Sequence, residues 1–248
     1  CYLNDAPPTT RTPWAGRLIH NGNYVLDGSM NNALSHLLNN CLIVAGKGDS
    51  NVAIPQEVQA ELYKANHIEG EDTTCVRVNT ANGVEIMYYT TLCHHTGQDV
   101  PYIKVYGSKG QAFWNYNNIL EFEYKDGYKE SYEFEEEDLF EKMFVNFVAA
   151  LEDKETDLNS SIYDCRSFIL ASNGAFESCG KTIKIPDEHL ITKPEDNTMV
   201  TYIKDIEKII EEAVAQGKLF SEISVEWAIP TQPFSMEGYK KFQLFKNN

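Results

Sequence analysis

The sequence has 248 residues, 42% of them hydrophobic, which is enough to bury a sizeable core as one large or two small domains. Its formal net charge of −16 excludes nucleic acid and anionic membrane surfaces as expected partners, since little here would displace counterions from phosphate. No segment approaches the ~20 apolar residues needed to span a bilayer, and we recognise no signal peptide. The six cysteines form no C-x-x-C pair, so we interpret them as reduced thiols, which favours the cytoplasm and leaves the periplasm open.

Prolines and glycines punctuate the first 25 residues and predict an extended arm over 1–25, followed by one domain over 26–248. The arm carries Trp14 and Arg17. An aromatic face and a guanidinium both suit carbohydrate hydroxyl groups, so we consider these two residues substrate contacts. The alternative interpretation is that Trp14 only pins the arm to the domain.

A helix is predicted over 29–45, because a capping residue precedes this apolar periodic stretch and a glycine follows it. Asn32 and His36 are four residues apart, so on this helix they share one face. Histidine suits acid–base chemistry because the pKa of imidazole lies near neutrality. A satisfied or solvated surface histidine is the alternative interpretation.

The pattern then turns to strands, at 57–66, 72–80, 84–93, 101–107, 110–116, 118–125 and 128–134. Their connections are too short for parallel crossovers. Face alternation favours three-residue turns with a glycine bulge at Ala81-Asn82-Gly83 and at Lys125-Asp126-Gly127. Helices follow at 137–151, 160–179 and 199–216. We therefore predict an α+β fold, with a mainly antiparallel open sheet of six or more strands and helices packed on one face.

His94 and His95 end a predicted strand just before a glycine-containing loop. Adjacent strand residues point to opposite faces, so at most one of them reaches a given pocket, and a solvated strand end is the alternative. No histidine, cysteine or carboxylate pair shows the close spacing of a zinc site, and we predict no metal.

Several short segments occur in a fixed order along the chain. They are Trp14-Ala-Gly-Arg17, Gly22-Asn-Tyr-Val-Leu-Asp27, Asn31-Asn-Ala-Leu-Ser-His36, Ile68-Glu-Gly-Glu-Asp72, Val105-Tyr-Gly-Ser-Lys-Gly110, and Gly217-Lys-Leu-Phe-Ser-Glu222 with Trp227-Ala228. In this order they closely resemble the C-terminal half of the Gfo/Idh/MocA oxidoreductases, particularly the branch common in Bacteroides-like bacteria. The resemblance covers nearly the whole chain from Trp14, and it depends on the ordered set because no single motif is decisive.

The resemblance implies the substrate-binding and oligomerisation domain of an NAD(P)-dependent oxidoreductase acting on a sugar or polyol. The family's N-terminal domain carries a G-x-G-x-x-G turn and a Glu-Lys-Pro motif, and neither occurs in this sequence. We therefore expect no cofactor on this chain, NAD or NADP on the parent protein, and no catalysis by the chain alone. The family's open sheet face further implies a homo-oligomer.

In the family, an Asp-x-x-x-His pair on the first helix faces the nicotinamide, and this chain matches it as Asn32-x-x-x-His36. The resemblance makes His36 the catalytic base and Asn32 its neighbour in the substrate site. An Asn orients an imidazole but supplies no charge, so either a lysine of the missing domain takes over the chemistry or His36 mainly binds substrate. A stand-alone carbohydrate-binding or scaffold module, and the substrate domain of an NAD-dependent glycoside hydrolase, remain the alternative functions.

Overall fold

The computed structural model describes residues 12–32, 34–46, 52–95, 100–154, 156–195 and 198–245, which divide into two units. The first unit takes its described residues from Cys1–Gly97 and Ser167–Asn248, and the second from Gln98–Arg166. The helices are α1 (Ser35–Val44), α2 (Leu139–Glu152), α3 (Cys165–Cys179) and α4 (Ile206–Gln216). The strands are β1 (Ile19–His20), β2 (Asn23–Tyr24), β3 (Pro55–Lys64), β4 (Thr73–Thr80), β5 (Glu85–Thr91), β6 (Tyr102–Tyr106), β7 (Gly110–Asn115), β8 (Ile119–Tyr124), β9 (Lys129–Glu133), β10 (Ile183–Lys184), β11 (Leu190–Glu195), β12 (Thr198–Ile203) and β13 (Phe234–Ser235).

A five-stranded sheet forms the centre of the first unit. Strands β3, β4 and β5 make an antiparallel ladder, and the free edge of β3 pairs with β10 in parallel and with β13 in antiparallel orientation. Side chains at even positions, such as Val76 and Tyr88, are buried with residues of α1 and α3. Those at odd positions, such as Tyr63 and Cys75, are buried with residues of α4 and with Phe220. The period of two along each strand thus gives the sheet a hydrophobic core on both faces.

The second unit contains an antiparallel four-stranded sheet in the order β6-β7-β8-β9, together with α2. Cross-strand partners place Val105, Ala112, Phe122 and Glu130 in one row, and Trp114, Leu120 and Tyr132 in the next. These residues share one face of the sheet and are nearly all apolar. The opposite face carries Phe113 beside charged residues such as Glu121 and Glu123.

The α+β class is confirmed. Both predicted hairpin turns are confirmed as well. In the first, the N–H of Thr80 donates to the carbonyl of Val84, and the third turn residue, Gly83, has φ of +81°. In the second, the N–H of Tyr124 donates to the carbonyl of Tyr128, and Gly127 has φ of +88°. Only glycine adopts this left-handed backbone without strain, which is why the glycine bulge follows from the sequence.

Two details of the predicted sheet differ from the structure. The strands divide between a five-stranded and a four-stranded sheet, with no ladder between β5 and β6 in the described part of the chain. The bond from the N–H of Leu92 to the carbonyl of Asp72 continues the β4–β5 ladder by one pair, and the next residue, Cys93, accepts the N–H of Ile203 at the end of β12. In addition, helices pack on both faces of the first sheet, with α1 and α3 on one side and α4 on the other.

Several predicted boundaries also need correction. The helix predicted over 29–45 begins only at Ser35, and that over 160–179 begins at Cys165. The helix predicted over 199–216 is strand β12 followed by α4, separated by Asp205 in the left-handed conformation (φ 55°). Residues 1–11 of the predicted arm lie outside the described residues, and its remainder includes the β1–β2 hairpin. No described helix has the length and apolarity to cross a membrane.

Candidate functional site

The turn that leads into α1 is organised by the buried carboxylate of Asp27. Its Oδ2 accepts the backbone N–H of Gly16 at 2.6 Å, and its Oδ1 accepts the side-chain amide of Asn32 at 2.7 Å. The N–H of Asn32 also binds the carbonyl of Gly28. Asn32 therefore belongs to this turn and not to α1, and its amide group is oriented by Asp27 instead of orienting His36.

Glu71 lies fully buried beneath the same turn. Its Oε1 accepts the backbone N–H of Met30 at 3.0 Å, and its backbone carbonyl accepts the N–H of Ser29 at 2.9 Å. A Cβ atom added to Gly28 would overlap the Glu71 carboxyl group, so only glycine allows this close approach. The other carboxyl oxygen, Oε2, has no hydrogen-bond partner among the described residues.

Burial raises the pKa of Glu71 to about 8, and the neighbouring carboxylates of Asp72 and Asp27 add to this effect, while the hydrogen bond from Met30 opposes it. A carboxyl group with this pKa is largely protonated at neutral pH. The turn that presents Asn32 thus rests on a neutral carboxylic acid and on the Asp27 carboxyl group.

His36 is the second residue of α1 and is exposed to solvent. Among the described residues, no hydrogen bond or ring contact joins it to Asn32, His94 or His95. The imidazole is therefore open to a ligand, and no partner among the described residues fixes its tautomer.

His94 and His95 differ in their surroundings. The ring of His95 stacks on Tyr202 of β12 with centroids 5.0 Å apart, and its backbone N–H donates to Glu207 Oε1 on α4. These elements pack on the face of the first sheet opposite to α1. His94 is half-buried, and its Nδ1 has no partner in the described part of the chain. The structure does not bring His95 and His36 into one pocket.

A cleft of about 580 Å³ opens beside Arg17 in the first unit. Its walls are Ala15, Gly16, Arg17, Lys64, Asn66, His67, Ile68, Glu69 and Lys184. Of the predicted substrate contacts, Arg17 is the one that lines this cleft; Trp14 lies nearby in sequence and is 40% exposed. The sequence analysis missed Lys64 and Lys184, because only the parallel pairing of β10 with β3 brings these two residues together.

Within the described ranges, no cluster of three or more His, Cys, Asp or Glu side chains could hold a metal ion. The cysteines there are free thiols at Cys41, Cys75, Cys93, Cys165 and Cys179.

No protein-family model and no curated protein matches the sequence. Solved structures do match. An oxidoreductase from Agrobacterium radiobacter, in complex with NAD+, L-tartaric acid and magnesium, has a TM-score of 0.54 and 13% identity over 71% of this chain and 52% of that one. The WlbA dehydrogenase from Bordetella pertussis, in complex with NADH and UDP-GlcNAcA, has a TM-score of 0.45 and 16% identity. The match covers 62% of this chain and 44% of that one. UDP-N-acetylglucosamine 3-dehydrogenase GnnA from Acidithiobacillus ferrooxidans has a TM-score of 0.43 and 15% identity. The match covers 48% of this chain and 38% of that one.

The likeness to the Agrobacterium oxidoreductase shows a shared fold, and the chain spans about half the length of that structure.

Proposed function

We propose that this chain is the substrate-binding and oligomerisation part of an NAD(P)-dependent oxidoreductase of the Gfo/Idh/MocA family, with a sugar or polyol as substrate. The observation that carries the proposal is the shared fold with an oxidoreductase solved in complex with NAD+, of which the chain spans 52%. The ordered sequence segments support the same family, its C-terminal half and its Bacteroides-type branch. On this proposal the dinucleotide belongs to an N-terminal domain that the 248 residues do not include.

The roles of the site residues follow from alcohol oxidation. A nicotinamide held by the N-terminal domain would supply the hydride acceptor. His36, exposed at the start of α1, takes the proton of the substrate hydroxyl group, for which an imidazole is suited at neutral pH. Asn32 is fixed by Asp27 through its amide nitrogen, which leaves its carbonyl oxygen to accept a substrate hydroxyl. Trp14, Arg17 and His94 are further candidates for substrate contacts, whereas His95 is engaged with Tyr202 and Glu207.

Isothermal titration calorimetry of the 248-residue chain with NAD+ and NADH tests whether the dinucleotide-binding site lies outside this chain. We expect no saturable binding of either dinucleotide and no turnover of polyols. Micromolar binding of NADH would overturn the proposal, because the chain would then carry a cofactor site of its own.

The oligomer that we propose uses the second sheet. In the first sheet, Met87 and Tyr89 pack within their own unit, and the Tyr89 hydroxyl donates to the carbonyls of Ala213 and Lys218. In the second sheet, Val105, Trp114, Leu120, Phe122 and Tyr132 of the apolar face are all at least partly exposed, and Ile103, the partner of Trp114, is a buried member of the same face. An apolar face of this kind usually marks an interface, and closed homo-oligomers are its usual outcome.

Light scattering after gel filtration tests this interface with a matched pair of variants. Phe122→Lys places a cation on the apolar face opposite Glu130, and Phe113→Lys places one on the other face opposite Glu121. We expect a dimer or tetramer for the wild type and for Phe113→Lys, and a monomer for Phe122→Lys. A monomeric wild type at high concentration would contradict the oligomer proposal and leave the oxidoreductase proposal standing.

A further inference from the structure

The cleft beside Arg17 concentrates positive charge on a chain whose formal net charge is −16. Arg17, Lys64 and Lys184 line it together with His67, and the one carboxylate in the lining is Glu69. The Glu69 carboxylate is turned toward the backbone, since its Oε2 accepts the N–H of Leu18 at 3.1 Å. With three cationic side chains and one carboxylate, the lining carries a net positive charge.

Lys64 and Lys184 are cross-strand partners in the parallel β3–β10 pair, so two ammonium groups extend from neighbouring positions. Like charges placed side by side on a sheet destabilise it unless something offsets the repulsion. Lys64 Nζ donates to the carbonyl of Ile68 at 2.8 Å, and Lys184 Nζ forms an ion pair with Asp187 at 2.8 Å. Each lysine has one partner in the described part of the chain and can donate further hydrogen bonds, because an ammonium group carries three N–H donors.

The walls of the cleft are held together by the backbone. The N–H groups of Glu69 and Gly70 both donate to the carbonyl of Gly16. Gly16 has φ of +70°, and a Cβ at this position would collide with the side chain of Ile68. This close contact fixes Arg17 beside the 66–69 loop, and the Arg17 guanidinium forms no ion pair with the described residues.

We propose that this cleft binds the phosphate group of a small molecule. A guanidinium and two ammonium groups around one opening recognise a multiply charged oxyanion, the arginine by paired hydrogen bonds and the lysines as point charges. The volume of about 580 Å³ lies within the range of small-molecule sites and leaves room for an organic group attached to the phosphate. The inference concerns binding by the chain itself and does not depend on the proposed oxidoreductase function.

Calorimetric titration of the 248-residue chain with inorganic phosphate and with glucose 6-phosphate, both at constant ionic strength, tests the site. We expect saturable binding of at least one of them, weakened about tenfold by Arg17→Gln and by Lys184→Gln, since a lost charge-assisted hydrogen bond corresponds to a change of this order. Tighter binding of the sugar phosphate would show that the organic group also contacts the cleft, and equal binding that the phosphate alone is recognised.

Lys208→Gln is the matched control, because Lys208 forms an i,i+3 ion pair with Asp205 as Lys184 does with Asp187, but on α4. It should leave phosphate binding unchanged. Circular dichroism of all three variants verifies that they are folded, which is expected because these side chains are exposed. The absence of saturable binding, or equal weakening by all three substitutions, would overturn the proposal.

Discussion

The buried Glu71 carboxyl group gives the stability of this protein a dependence on pH that one substitution removes. Its pKa is raised from 4.5 to about 8 on folding, so the folded state binds this proton more tightly than the unfolded state does. The stability that Glu71 contributes is therefore fully present below pH 4.5 and is lost as the pH rises through 8. At about 1.4 kcal/mol per pH unit, the loss between pH 5 and 7 amounts to about 3 kcal/mol.

Glu71→Gln keeps the acceptor for the Met30 N–H but cannot ionise. At the position of Oε2, which has no partner among the described residues, the amide places two N–H donors where the protonated wild type places one O–H, so the variant should lose about 1–3 kcal/mol at pH 5. Because only the wild type ionises as the pH rises, the stability of Glu71→Gln relative to the wild type should increase by about 3 kcal/mol from pH 5 to 7.

Urea unfolding followed by circular dichroism at pH 5, 6, 7 and 8 measures this difference. Glu211→Gln is the control, since this side chain is exposed on α4, and its stability should stay parallel to that of the wild type. A Glu71→Gln difference that does not change with pH would refute the reasoning, because it would mean that Glu71 does not become neutral on folding.

The remaining predictions concern the turn above Glu71 and the helix that follows it. In a full-length protein, His36→Ala should lower kcat by about 10²–10⁴-fold if His36 is the base, or raise KM with kcat little changed if it only binds substrate; unchanged kinetics would remove it from the site. Asn32→Asp replaces the donor facing Asp27 Oδ1 with a carboxylate, so thermal unfolding should show a loss of about 1–3 kcal/mol in the free energy of unfolding. This loss should shrink as the pH is lowered, and equal stability of the variant and the wild type would contradict the Asp27–Asn32 contact. Gly28→Ala should destabilise the fold by about 1–3 kcal/mol in urea unfolding because its methyl group overlaps the Glu71 carboxyl group, whereas Gly107→Ala, which meets only one atom at 3.7 Å, should have little effect.

Local signals in the sequence predicted the strands and hairpins well. The alternation from Val76 to Tyr88 and the glycine after Asn82 determine both the register and the turn, and the structure has the same pairing. A buried face and a positive-φ glycine are properties of a few adjacent residues, so one sequence suffices to recognise them.

The errors arise where distant residues decide the structure. Apolar residues from Met199 to Ala213 follow a helical period, but Val200 to Ile203 pair with β11, and Asp205 ends the strand. In the same way, the helix predicted over 29–45 could not begin at Ser29, because the Ser29 hydroxyl is hydrogen-bonded to Thr74 and Thr90 in the first sheet. Such long-range contacts override local propensity, and a single sequence does not display them.

The candidate site was predicted only in part for the same reason. His36 and Asn32 were selected by their spacing, yet the residue that holds Asn32 is Asp27, and the carboxyl group beneath the turn is Glu71 from the connection between β3 and β4. Lys64 and Lys184 meet only because β10 pairs with β3. Each of these contacts depends on the folded chain and leaves no local pattern in the sequence.

The most direct test of the central claim is to sequence the gene upstream of the codon for Cys1. If the chain is the substrate-binding half of an NAD(P)-dependent oxidoreductase, the same reading frame should continue upstream for about 120–150 residues and carry a G-x-G-x-x-G turn after its first strand. A stop codon immediately upstream, with no dinucleotide-binding segment in the frame, would contradict the account and favour a stand-alone carbohydrate-binding or scaffold module.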